Sequence, residues 1–132
     1  MNPVRVSWGM SGAVWLVMAI MCCMYWGWPA VGITVLFGLV PDLPLIGGFV
    51  EKGRLNPDRV KLYNTLHVTT IPVALLVLGI VVLFLTGGFE TGFWPLALAG
   101  VAWFVHIAAD RAFGFGLRDA DGSMLPVGVE LR

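Results

Sequence analysis

Residues 56–88 read NPDRVKLYNTLHVTTIPVALLVLGIVVLFLTGG, and no Asp, Glu, Lys or Arg interrupts them between Leu62 and Thr86. A bilayer core about 30 Å thick is crossed by about 20 consecutive, mostly apolar helical residues, so this run is long enough to span one. Its beginning is marked: Asn56 suits an N-cap, Pro57 the first helical position and Asp58 the first turn. Its end is marked by Gly87-Gly88. A helix of roughly 30 residues extends about 45 Å, which leaves the first turns, with Arg59 and Lys61, outside the hydrocarbon.

Three further runs of this kind flank it. Residues 8–26 carry no charge, residues 30–45 carry only Asp42, and residues 95–113 close before Gly114. With 62–86 they predict an all-α membrane protein of four antiparallel transmembrane helices, a single domain with a polar tail over 114–132. Composition agrees: among 132 residues, 58% are hydrophobic and 12% charged, against about 25% charged in a soluble domain. A water-soluble domain and a disordered chain are both excluded. Eight basic residues balance eight acidic ones, and no basic stripe with interleaved aromatics is present, so nucleic acid is not an expected partner.

Lys and Arg in short flanking segments set orientation. Arg5 precedes the first run, Lys52, Arg54, Arg59 and Lys61 lie between the second and third, and Arg111, Arg118 and Arg132 end or follow the fourth. The other side holds only the Gly27-Trp28-Pro29 turn and the 87–93 loop with Glu90. Both termini are therefore expected in the cytoplasm, with the chain a multi-pass protein of the cell membrane. The expected partners are the lipid bilayer and a second copy or another membrane protein.

Charge at membrane depth costs about 2.5–3.5 kcal/mol at a helix centre on insertion scales, so each instance calls for a reason. Asp42, His67, His106 and Asp110 are the titratable residues at depth, and the topology places all four toward the cytoplasmic leaflet. His106 and Asp110, four apart, share a helical face with the small residues Ala99 and Ala102. Tyr63, Asn64 and His67 form a second polar stripe at comparable depth. Two imidazoles and two carboxylates match the ligand types of zinc, manganese or iron. The plainer reading makes them packing elements: Asp42 caps a turn, His106 bonds a carbonyl, and Asp110-Arg111 is a snorkelling pair.

Pro41-Asp42, Tyr63-Asn64-x-x-His67 followed by Pro72, and His106-Ile107-x-x-Asp110-Arg111-x-x-Gly114-Phe115-Gly116-Leu117-Arg118 together resemble a small bacterial membrane-protein family catalogued as domain of unknown function 4260. The resemblance runs from about Val14 to Arg118 and implies a small, hydrophobic membrane protein without an established activity. A more distant similarity, at the level of fold, is to membrane-bound metal-dependent hydrolases, whose His-Arg-x-x-Thr-His-Ser block this chain lacks.

Two readings of function follow. In one, a divalent metal held by His67, His106 and Asp110, with Asp42 as fourth ligand or general base, activates water against a lipid-like or membrane-proximal substrate. Arg111 then binds a substrate phosphate or carboxylate, and Tyr63 or Asn64 orients a ligand. In the other, the chain is a non-catalytic scaffold or accessory subunit whose polar layer fixes helix packing.

Overall fold

The computed structural model describes residues 2–129, so Arg132 lies outside the described residues. Asn2 caps α1 (Pro3–Trp26), its side chain accepting the Val4 N–H at 2.9 Å. The helix thus starts at Pro3 rather than Trp8, because the Asn2-Pro3 pair is a cap followed by a first-turn proline. Gly27, at φ +77°, separates α1 from α2 (Trp28–Leu39). The second run tightens into a 3₁₀ segment over Val40–Leu45, where Pro41 and Pro44 remove two backbone donors.

The third run is not one helix. It divides into α3 (Pro57–His67) and α4 (Thr70–Thr86), with Val68 extended at ψ 143°. Pro72 is the physical reason, since it lacks the N–H that would reach Val68 four residues back and its ring crowds that carbonyl. A short α5 (Gly88–Thr91) and α6 (Pro95–Phe113) complete the helices, and Gly114 ends α6 in the left-handed region at φ +98°.

Four segments are long and apolar enough to cross a membrane: Pro3–Trp26, Trp28–Leu45, Pro57–Thr86 and Pro95–Phe113. The last is the axis of the fold, packing against α1, α2 and α4. Small residues permit this. A Cβ on Gly79 would collide with the backbone of Ala97, and one on Gly100 would lie 2.6 Å from the Leu76 nitrogen. Such close approach is how membrane helices gain packing without a hydrophobic driving force between them. The outward faces of α1 and α4, with Val14, Met21, Val77 and Leu85, stay exposed and apolar, as suits contact with lipid.

A short β-ribbon joins the helices. Phe49–Glu51 (β1) pairs antiparallel with Arg54–Leu55 (β2), the turn using Gly53 at φ +79°. Residues 117–125 are also tied to the body, because Leu125 donates to Leu117, Arg118 bridges Met124 and Leu55 donates to the Gly122 carbonyl. Gly122 allows that approach, since a Cβ there would overlap the Leu55 carbonyl.

Candidate metal centre

Asp42, His67, His106 and Asp110 each arrive by a local device. The 3₁₀ segment carries Asp42, the final residue of α3 is His67, and one face of α6 carries His106 and Asp110. One potential ligand atom from each lies within 4.8 Å of all the others. His67 Nε2 is 3.2 Å from Asp110 Oδ2 and 3.8 Å from Asp42 Oδ1, and His106 Nε2 is 3.3 Å and 3.4 Å from the same two atoms.

The opposite edge of each imidazole is fixed. His67 Nδ1 lies 2.8 Å from the Tyr63 carbonyl oxygen, and His106 Nδ1 lies 2.7 Å from that of Gly38. A carbonyl only accepts, so Nδ1 carries the proton in both rings, and in the neutral tautomer both Nε2 atoms are bare lone pairs. Both Nε2 atoms are buried without an aligned hydrogen bond, although carboxylate oxygens stand within 3.2–3.8 Å. Lone pairs turned toward carboxylates repel, and a cation among them reverses the sign.

Distances test the fit. In a tetrahedron with metal–ligand bonds of 2.0–2.2 Å, ligand atoms stand about 3.3–3.6 Å apart. The four nitrogen–oxygen separations of 3.2–3.8 Å bracket that edge, and the nitrogen–nitrogen and oxygen–oxygen pairs lie within 4.8 Å. Metal-binding histidines commonly donate their second ring N–H to a backbone carbonyl, the arrangement found here twice.

Prolines and a buried arginine hold the frame. Pro41 has no N–H to offer the Gly38 carbonyl three residues back, which suits that oxygen to receive His106. At the break before α4, the Leu66 carbonyl accepts from Trp103 Nε1 at 2.8 Å and the His67 carbonyl from Arg111 Nη2 at 2.9 Å. Arg111 Nη1 donates to the Phe115 carbonyl at 2.9 Å, so this guanidinium ties α3 to the end of α6. A cation at the carboxyl end of a helix is also favoured by its dipole.

The remaining expected residues lie around the same centre. Tyr63 stacks on His67, ring centroids 3.9 Å apart, and donates to the Gly116 carbonyl. Asn64 sits farther out, with both of its amide atoms on the Arg118 backbone at 2.8 Å. His67 is sealed and Asp110 mostly covered, but the Asp42 side chain is 45% exposed. The centre therefore opens on the Asp42 side, into a cavity of about 210 Å³ lined by Asp42, Asp110, Tyr63, Arg118 and apolar side chains including Phe49 and Phe115. In the sequence Arg118 counts among the cytoplasmic charges and ends the family-like block, with no role at the centre assigned to it. Its position closing the Gly114-Phe115-Gly116-Leu117-Arg118 block was the available signal.

The model of a family described as Domain of unknown function (DUF4260) matches residues 8–124. The chain belongs to that family. The matched stretch includes all four residues of the centre in this DUF4260 member, as well as Tyr63, Asn64, Arg111 and Arg118. Neither the curated proteins nor the solved structures contain a match.

Proposed function

We propose that this chain is a metal-dependent, hydrolase-like membrane enzyme acting on a lipid-like or membrane-proximal substrate at the cytoplasmic leaflet. In this reading the four spans run antiparallel with both termini in the cytoplasm, and His67, His106 and Asp110 hold a divalent zinc, manganese or iron ion. Asp42, the most open member, is the fourth ligand or the general base. The observation that carries the reading is the pair of imidazoles whose Nδ1 atoms are committed to carbonyls while both Nε2 atoms face two carboxylates. Held by His67, His106 and Asp110, a divalent ion would supply Lewis acidity and activate water at neutral pH.

The chain's own residues do the rest. The Tyr63 ring covers His67 and excludes water from one side of it. Arg111 holds the His67 carbonyl, and with it the end of α3, against α6. Asp42, on a separate segment from the other three, is placed to take a proton at its exposed carboxylate. Elemental analysis of detergent-purified wild type and Asp110→Ala, paired with hydrolysis of ester and phosphoester lipids with and without chelator, tests the proposal. It expects metal and chelator-sensitive hydrolysis in wild type and neither in the variant. Hydrolysis that ignores chelator, or wild-type protein that retains no metal, overturns it.

A further inference from the structure

The cavity beside the centre has a second polar wall, and the proposed chemistry leaves it unused. Arg118 is 3% exposed, yet no carboxylate lies within 4.0 Å of it among the described residues. Its Nη1 donates to the carbonyls of Gly53 at 2.8 Å and Gly122 at 3.1 Å. Its Nε is buried with no partner, and its Nη2 makes no hydrogen bond among the described residues. The guanidinium carbon lies 5.3 Å from the Tyr63 ring centroid and 5.6 Å from that of Phe49. Asn64 clasps the Arg118 backbone through two hydrogen bonds, so the residue is held in place. A buried cation without a counter-charge is costly, and a charge-assisted hydrogen bond from its free Nη2 to an anion in the cavity would offset that cost.

The structure points to a substrate phosphoryl group as that missing anion, and we propose that Arg118 binds it beside the metal centre. This inference rests on the metal reading above and names the substrate class for it. Charge supports it. Asp42 and Asp110 balance a divalent ion, so among the described residues neither buried arginine has a carboxylate of its own; Arg111 commits both Nη atoms to the carbonyls of His67 and Phe115, and Arg118 is the one that lines the cavity. A tetrahedral phosphoryl group has oxygens enough to meet a metal and Arg118 together and carries more charge than a carboxylate. Volume agrees as well. The cavity of about 210 Å³ has the space of several waters at about 30 Å³ each, enough for a phosphoryl group and its first linking atoms but too little for an acyl chain. The half-exposed rings of Phe49 and Phe115 at its edge suit a group presented from the membrane interface.

The test uses the full chain in detergent, loaded with Mn²⁺, and reads ³¹P relaxation of two probes: inorganic phosphate, and dioleoyl phosphatidate in mixed micelles. Mn²⁺ loading is measured first by electron paramagnetic resonance, and a wild type that takes up no Mn²⁺ overturns the metal reading and this inference together. With Mn²⁺ bound, at least one probe should show saturable ³¹P broadening. Phosphatidate alone identifies a lipid headgroup, and phosphate as well identifies a site for the free ion. Arg118→Met should keep Mn²⁺ and bind either probe about 10- to 100-fold more weakly, the loss expected for a charge-assisted contact. Arg118→Lys keeps the charge and buried stem, guards against failure of the methionine variant to fold, and should still bind about tenfold more weakly because the ammonium cannot keep the Gly53 and Gly122 carbonyls and present a donor to the cavity as the planar guanidinium does. Mn²⁺-loaded wild type that broadens neither probe, or binding unchanged in both variants, overturns the phosphoryl site and leaves the metal reading standing.

Discussion

Replacing His106 by Ala separates a metal centre from a packing layer. His106 makes one hydrogen bond to the Gly38 carbonyl and turns its other nitrogen to the carboxylates. Losing the bond to Gly38 costs about 0.6–1.7 kcal/mol, the range for interhelical hydrogen bonds in a membrane. Losing a metal costs more: an ion at 100 times its dissociation constant, bound only by the folded state, stabilises by about 2.7 kcal/mol. Thermal melts in detergent, with that metal excess or with chelator, therefore have an expected pattern. Wild type should lose about 2.7 kcal/mol on chelation. His106→Ala should already be lower by the sum of both terms and should not respond to chelator. In chelator, the two proteins should differ only by the hydrogen-bond cost. Melts indifferent to chelator in both proteins would refute the reasoning and leave a packing layer.

Gly79→Ala should cost about 1–3 kcal/mol, because its Cβ meets the Ala97 backbone and forces α4 from α6, whereas Gly38→Ala, with open space around it, should stay within about 0.5 kcal/mol in the same melts. Arg111→Met should destabilise by about 2–4 kcal/mol, between the values for membrane and charge-assisted hydrogen bonds, since it frees two carbonyls at once; a loss below 1 kcal/mol measured by denaturation would show that the helix break needs no such tie. Cysteines placed one at a time over residues 51–61 should react with impermeant reagent only from the cytoplasmic side, and one replacing Glu90 only from outside. The opposite pattern would invert the proposed topology.

Periodicity alone says little about this chain; length and charge say much. The spans were legible because charge-free runs of bilayer length are rare in other proteins, and their ends were marked by Asn56-Pro57, Gly87-Gly88 and Gly114. The break at Val68–Thr69 was half legible. Pro72 announced a disturbance, but whether a proline bends a helix or parts it depends on partners for the freed carbonyls, and these are Trp103 and Arg111 on a distant helix. Asp42, His67, His106 and Asp110 stood out because polar groups at membrane depth are expensive. The carbonyls of Gly38 and Tyr63 that fix the imidazoles could not be read, because main-chain acceptors leave no mark in side-chain identity. Arg118 was hidden for another reason: an arginine just past a span is ordinarily a solvated charge, and the β1–β2 turn, Gly122 and the Tyr63 and Phe49 rings that surround it come from distant parts of the chain.

X-ray absorption at the zinc edge of zinc-loaded, detergent-purified protein tests the central claim most directly. One zinc per chain is expected, with only nitrogen and oxygen neighbours at about 2.0–2.2 Å, imidazole scattering from two histidines, and loss of that signal in His67→Ala. A sulfur shell at about 2.3 Å, which would place the metal on Cys22 or Cys23, or a shell without imidazole, would contradict it.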